Sequence, residues 1–139
     1  MIQYLKDKGF KKFHSVGYCF GVYVLFKYAN KSEDFIEIVG CHPSIGAAGA
    51  FGENPDDLVK GVKCPAYLMP AGNDADNLKT DGEYFKILIS KFGNDKVACT
   101  EFPDMIHGFV VRGDVSDEKV KRDVEKAIDL SVQYMNKLS

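Results

Sequence analysis

The chain has 139 residues, the size of one domain, and is expected to fold as a single unit over 1–139. Its 45% hydrophobic and 27% charged residues read as globular, and no apolar run approaches the ~18 residues that a transmembrane helix needs. The net charge of −2 comes from interspersed lysines and acids without a basic block, which argues against nucleic acid as a partner because phosphate binding needs clustered Lys and Arg.

The opening Met1-Ile2-Gln3-Tyr4-Leu5-Lys6 has neither the basic start nor the long apolar stretch of a signal peptide. Residues 2–8 read as the end of a helix, with Gly9 free to take the left-handed conformation. Phe13 to Val16 is a short strand, Gly17 to Gly21 a tight turn, and Val22 to Ala29 an apolar helix. Phe35 to Val39 is a second strand, from its short run of apolar and β-branched residues. Residues 43–53, rich in Gly, Ala, Ser and Pro, read as a long loop.

Asn54-Pro55-Asp56-Asp57 starts a short helix: Asn is a good N-cap, Pro is tolerated at the first position, and the acids suit the positive end of the helix dipole. Gly61 closes it, and Pro65 to Met69 is the third strand. Thr80-x-x-Glu83 has the spacing of a capping box; the helix after it keeps Tyr84, Phe85, Leu88, Ile89 and Phe92 on one face and ends at Gly93. Lys96 to Phe102 is a fourth strand. From Asp117, Val120, Val124, Ala127, Ile128, Ser131, Met135 and Leu138 mark one face of a long final helix. Strands alternating with helices imply a parallel sheet covered on both faces.

Gly17-Tyr18-Cys19-Phe20-Gly21 lies between a strand and a helix. It is the cysteine form of the nucleophile elbow G-x-S-x-G, in which a sharp turn holds the nucleophile above the sheet and flanking glycines avoid clashes. The following helix points its N-terminus at Cys19, which favours the thiolate. A thiol nucleophile needs a base, and the base needs an orienting acid. In α/β-hydrolases the chain order is nucleophile, acid, histidine. Here Asp74 follows the third strand and His107 follows the fourth, so both fall at the carboxyl edge where Cys19 sits and where open α/β sheets bind ligands. Asp76 is the rival acid. His14, inside a strand, reads as structural. His42, in Cys41-His42-Pro43-Ser44, also reaches the active edge and reads as pocket lining.

The segments Gly17-Tyr18-Cys19-Phe20-Gly21, Cys41-His42-Pro43-Ser44, Pro70-Ala71-Gly72-Asn73-Asp74 and His107-Gly108-Phe109 with Arg112-Gly113-Asp114 together make the sequence resemble the dienelactone hydrolase family, nearest its eukaryotic branch. The resemblance implies a partial α/β-hydrolase fold of about four parallel strands with flanking helices. It implies a Cys19–Asp74–His107 triad that acts on a small ester or lactone through an acyl-thioester, without a cofactor. The backbone N–H of Phe20 would serve the oxyanion, Tyr18 and His42 would line the substrate pocket, and Arg112 would hold a substrate carboxylate unless it serves a loop ion pair. Two departures stand out. Val22 occupies the position of the family's second post-elbow glycine. The strands and helices that precede the elbow in the family are absent, and with them the expected second oxyanion donor; the loss of one such donor costs ~10²–10³ in rate. The missing strands would leave an open sheet edge that invites self-association.

Other readings compete. Glutamine amidotransferases share G-x-C-x-G on an α/β sheet, but usually with a His-x-Glu base, whereas His107 precedes Gly108-Phe109. Of Cys19, Cys41, Cys64 and Cys99, none forms a C-x-x-C pair, so a zinc site is not expected, and only Cys41 would serve a redox-sensing Cys19 as resolving thiol. Free thiols without a secretory signal point to the cytoplasm. A fragment or remnant that is weakly active or inactive, and binds a ligand or partner chain, is the serious alternative.

Overall fold

The computed structural model describes residues Met1–Ser139. In chain order the elements are α1 (Ile2–Asp7), β1 (Phe13–Tyr18), α2 (Phe20–Lys31), β2 (Phe35–Cys41), α3 (Pro55–Gly61), β3 (Ala66–Met69), α4 (Glu83–Phe92), β4 (Ala98–Cys99), α5 (Phe109–Arg112) and α6 (Glu118–Leu138), with 3-10 turns at Ile45–Phe51 and Asp76–Leu78. The strands form one parallel sheet in the order β1-β2-β3-β4. This is the partial α/β-hydrolase architecture that the sequence resemblance implies. No helix is long and apolar enough to cross a membrane.

Strands added in sequence, all parallel, require a crossover after each one. Val22 and Phe26 of α2, Val59 of α3 and Leu88 of α4 all pack with Ile38, Ala66 and Leu68 on one face. On the other face, Ala127 and Tyr134 of α6 pack with Val39, Cys41, Tyr67 and Met69. Adjacent residues of β2 and β3 thus serve opposite cores, as the strand period of two demands. Both faces of these strands are covered, so β2 and β3 read as nearly unbroken apolar runs. β1 has one sheet neighbour, and its outward His14, Val16 and Tyr18 are exposed.

Glu37 is the exception in β2. It is fully buried, receives an imidazole contact from His14 at 2.7 Å, and has its other oxygen without a partner. Burial pushes its carboxyl up, against the opposing pull of His14. His14 also meets Ser139 at 3.2 Å, so it ties the edge strand to the chain's last residue, a structural part.

Several expected elements differ in detail. The stretch at 43–53 contains the 3-10 turn, because Ile45 and Ala48 bury into the core. Thr80 and Glu83 do not form a capping box: α4 starts after Gly82, and the Thr80 N–H donates to Glu101 instead, at 3.0 Å. The fourth strand is short. Pro70 has no N–H to continue the ladder, so pairing beyond β4 is reduced to an isolated bridge between Ala71 and Phe102. In α6 the buried stripe runs Asp123, Ala127, Ser131, Tyr134, and Ile128 is turned out, 48% exposed.

Candidate active site

The carboxyl ends of the strands deliver the site. Cys19 follows β1 directly, with φ 49° and ψ −122°, a backbone state that costs a non-glycine residue ~1–3 kcal/mol. Two backbone bonds hold it there: the Cys19 N–H donates to Cys41 O at 3.2 Å, and its carbonyl accepts from Ser44 N at 3.1 Å. Only the first elbow glycine is sterically required. A Cβ on Gly17 would lie 2.9 Å from Leu25 Cδ1 and 3.0 Å from Val22 N, whereas one on Gly21 would meet nothing. The expectation that both glycines are needed is therefore corrected: Gly21 sits on a free side of the first turn of α2.

Val22 is fully buried and lies against Gly40 of β2, where a Cβ would come within 3.0 Å of Val22 Cγ1. The valine in place of the family's glycine is thus accommodated by a glycine on the neighbouring strand. Phe20 takes the first position of α2, where a backbone N–H has no intrahelical acceptor.

His42 follows β2 with φ 37°, fully buried. Its Nδ1 lies 3.1 Å from Cys19 Sγ, and its Nε2 has no partner. Burial, reinforced by nearby His107, pulls its imidazole down to about 4, so it is neutral at ordinary pH. The ring packs edge-on to His107 and Phe109, with centroids 5.2 and 5.6 Å away. Tyr18 lies 6.1 Å from it, ring to ring, at the exposed end of β1.

Asp74 and His107 meet as the sequence order implies. Asp74 Oδ1 lies 2.6 Å from His107 Nδ1, and its Oδ2 accepts from Ala71 N at 2.7 Å. Asn73 Oδ1 accepts the His107 backbone N–H at 2.6 Å. Asp76, the rival acid, is instead turned to solvent and paired with Lys79 at 2.8 Å. The His107 Nε2 is engaged by Ser44 Oγ at 3.2 Å, and donor atoms of Cys19, His42 and His107 all lie within 4.8 Å of one another. The contact of His42 with the sulfur and of Ser44 with the base were not anticipated. The signal for both was the position of Cys41-His42-Pro43-Ser44 at the same sheet edge.

Arg112 lies exposed at the end of α5, folded back over Gly108, in a cleft of about 360 Å³ that it shares with His107, Ile106 and Asp114. None of the ion pairs includes it, so the loop ion pair is not formed. Burial pushes the other thiols up, Cys41 and Cys64 to about 12 and Cys99 to about 11. Cys41 is 1% exposed and packed under α6, a poor position for a resolving thiol.

Among solved structures, the chain is similar to the acylaminoacyl peptidase of Pyrococcus horikoshii, with TM-score 0.64 and 14% identity over 98% of this chain and 26% of that one. A second acylaminoacyl peptidase, in complex with a chloromethyl ketone, gives TM-score 0.53 and 18% identity over 90% and 25% of the two chains. These likenesses concern the fold, and the chain spans about a quarter of each of those proteins. No curated protein matches the chain in sequence. The dienelactone hydrolase family model matches residues 1–139, with the elbow, Asp74 and His107 all inside it, and the chain therefore belongs to that family.

Proposed function

We propose that the chain is a thiol hydrolase of carboxylic esters or lactones, with Cys19 as nucleophile, His107 as base and Asp74 as its orienting acid. The observation that carries this reading is the strained elbow at Cys19 beside a histidine whose far nitrogen is held by a buried carboxylate at 2.6 Å.

The distances define a resting arrangement. The Cys19 thiol rests on neutral His42, and the hydroxyl of Ser44 rests on His107. A side-chain rotation of Cys19 toward His107, with Ser44 giving way, brings nucleophile and base together. His107 Nε2 then takes the thiol proton while the sulfur attacks the acyl carbon. The oxyanion faces the Phe20 N–H at the start of α2. Collapse expels the alcohol, protonated by His107, and leaves a Cys19 thioester. Water, deprotonated by His107, attacks the thioester and releases the acid and the thiol. Asp74 holds Nδ1–H throughout, so Nε2 is the nitrogen that exchanges protons. Tyr18 and His42 line the pocket, and Arg112, without an ion-pair partner, is suited to a carboxylate on the substrate. No cofactor enters these steps.

A second reading has its own observation. Ser44, His107 and Asp74 form an unbroken hydrogen-bonded row, which makes Ser44 a competing nucleophile. Cys19 is preferred because it has the elbow backbone and the helix N-terminus behind it. The remnant reading, a binding module without turnover, is the outcome if neither residue acts. We also assign the chain to the cytoplasm on its free thiols, and propose that the unpaired edge of β1 lets two copies associate; light scattering that finds only monomer overturns the latter.

The test is release of p-nitrophenol from p-nitrophenyl acetate by the native chain, Cys19→Ala and Ser44→Ala. Sustained turnover lost only in Cys19→Ala supports the thiol mechanism. Loss only in Ser44→Ala moves the nucleophile to Ser44. A single burst that needs Cys19 indicates acylation without deacylation. Equal background release from all three overturns the catalytic reading.

A further inference from the structure

We propose that Cys19, His42 and His107 form a binding site for a soft divalent cation of the zinc class. No C-x-x-C or His-x-x-x-His spacing announces this site, because its ligands come from three different strand ends.

The donor set is a thiolate and two imidazoles, the combination that selects zinc over magnesium or calcium. Zinc takes Zn–S of about 2.3 Å and Zn–N of about 2.0–2.1 Å, which sets tetrahedral donors roughly 3.3–3.6 Å apart. The donors here stand 3.1 Å apart for Cys19 Sγ and His42 Nδ1, and within 4.8 Å for the whole set. Side-chain adjustment of about an ångström closes the difference. His107 is also oriented as metal-bound histidines are: its Nδ1 faces a buried carboxylate, and its Nε2 faces the site. His42 adds a second, independent sign. It is fully buried, with one nitrogen on the Cys19 sulfur and the other without any partner. A buried ring nitrogen left unpaired is rare and calls for an explanation in each case. Three protein ligands leave a fourth position, open to water or to the Ser44 hydroxyl beside His107.

Binding releases the thiol proton of Cys19 to solvent as the Zn–S bond forms. The cation then occupies the proposed nucleophile and base together, so a metal-loaded chain is silent toward esters. That consequence rests on the thiol-hydrolase reading; the binding does not.

The test titrates the chain anaerobically with Co²⁺, a coloured stand-in for Zn²⁺. The expected result is one-to-one binding with a thiolate-to-cobalt charge-transfer band, bleached by Zn²⁺. Cys19→Ala abolishes the band. Asp74→Asn weakens binding by ~10–100-fold, as losses of outer-shell partners do, and His42→Ala weakens it by more. A second measurement needs no variant: Zn²⁺ protects Cys19 of the native chain from iodoacetamide, read by peptide mass. Absence of the band and of protection in the folded native chain overturns the inference. So does a band that survives in Cys19→Ala, or one unchanged in a folded His42→Ala. A band without ester turnover leaves the metal site standing and removes the hydrolase reading; Cys19-dependent turnover without a band does the reverse.

Discussion

Gly40→Ala tests how the elbow is seated. The new methyl would lie 3.0 Å from Val22 Cγ1 and 3.4 Å from Cγ2, with Leu68 Cδ2 at 3.6 Å. The first distance is too short, the second tight and the third ordinary, so one fully buried valine carries the strain. Overpacking of this kind costs ~1–3 kcal/mol, and a single crowded side chain places Gly40→Ala at about 1–2 kcal/mol. Val22→Ala alone removes two buried methyl groups, ~0.8 kcal/mol each in transfer plus a cavity term, about 2 kcal/mol together. In the double variant the methyl added to β2 by Gly40→Ala enters the space that the valine vacates. Its cost is then below the sum of the single costs by about 1 kcal/mol or more, where distant sites add within ~0.3–0.5 kcal/mol. Urea unfolding of the four proteins, with a common slope, gives the coupling from the midpoints. Alkylation of Cys19 in each folded variant reports whether the elbow has moved. Additive costs would refute the claim that Gly40 is the counterpart of Val22.

Gly21→Ala is expected to stabilise the chain by ~0.5–1 kcal/mol, since its Cβ meets nothing and alanine is the better helix former; thermal unfolding checks it, and a lower midpoint refutes it. His42 is neutral when folded, with its imidazole near 4 against 6.5 in the open chain. The unfolded chain therefore binds more protons between these values, so the stability from His42 is present above 6.5 and lost as pH falls toward 4. The full drop is of order 3 kcal/mol, and His42→Gln flattens it in urea titrations across that range. If the hydrolase reading holds, Asp74→Asn lowers turnover by up to ~10⁴-fold, whereas Asp76→Asn leaves it within about twofold, since the Asp76 carboxylate only pairs with Lys79; steady-state ester hydrolysis separates the two.

Local chemistry made much of this legible in the sequence. Asn54 before Pro55 dictates the start of α3, and the Asn54 side chain accepts from Asp56 N at 3.0 Å as an N-cap should. The apolar runs of β2 and β3 announce strands buried on both faces, and the order Cys19, Asp74, His107 announces one sheet edge. The sequence also identified Asp74 as a candidate acid, but only the fold separated it from Asp76. Two residues apart in the chain, one carboxylate turns onto His107 and the other onto Lys79, a difference set by the loop after β3. The failed capping box at Thr80 has the same cause: a distant carboxylate, Glu101, reaches its N–H first. Val22 looked like a departure until Gly40 on the next strand was seen beneath it. His42 and Ser44 could be assigned to the active edge but not to their partners, because a side-chain contact across strands depends on register and on a backbone turn at φ 37° that no local rule specifies. Residue types and spacing determined which groups reach the site; parallel pairing of β1, β2 and β3 decided which of them touch.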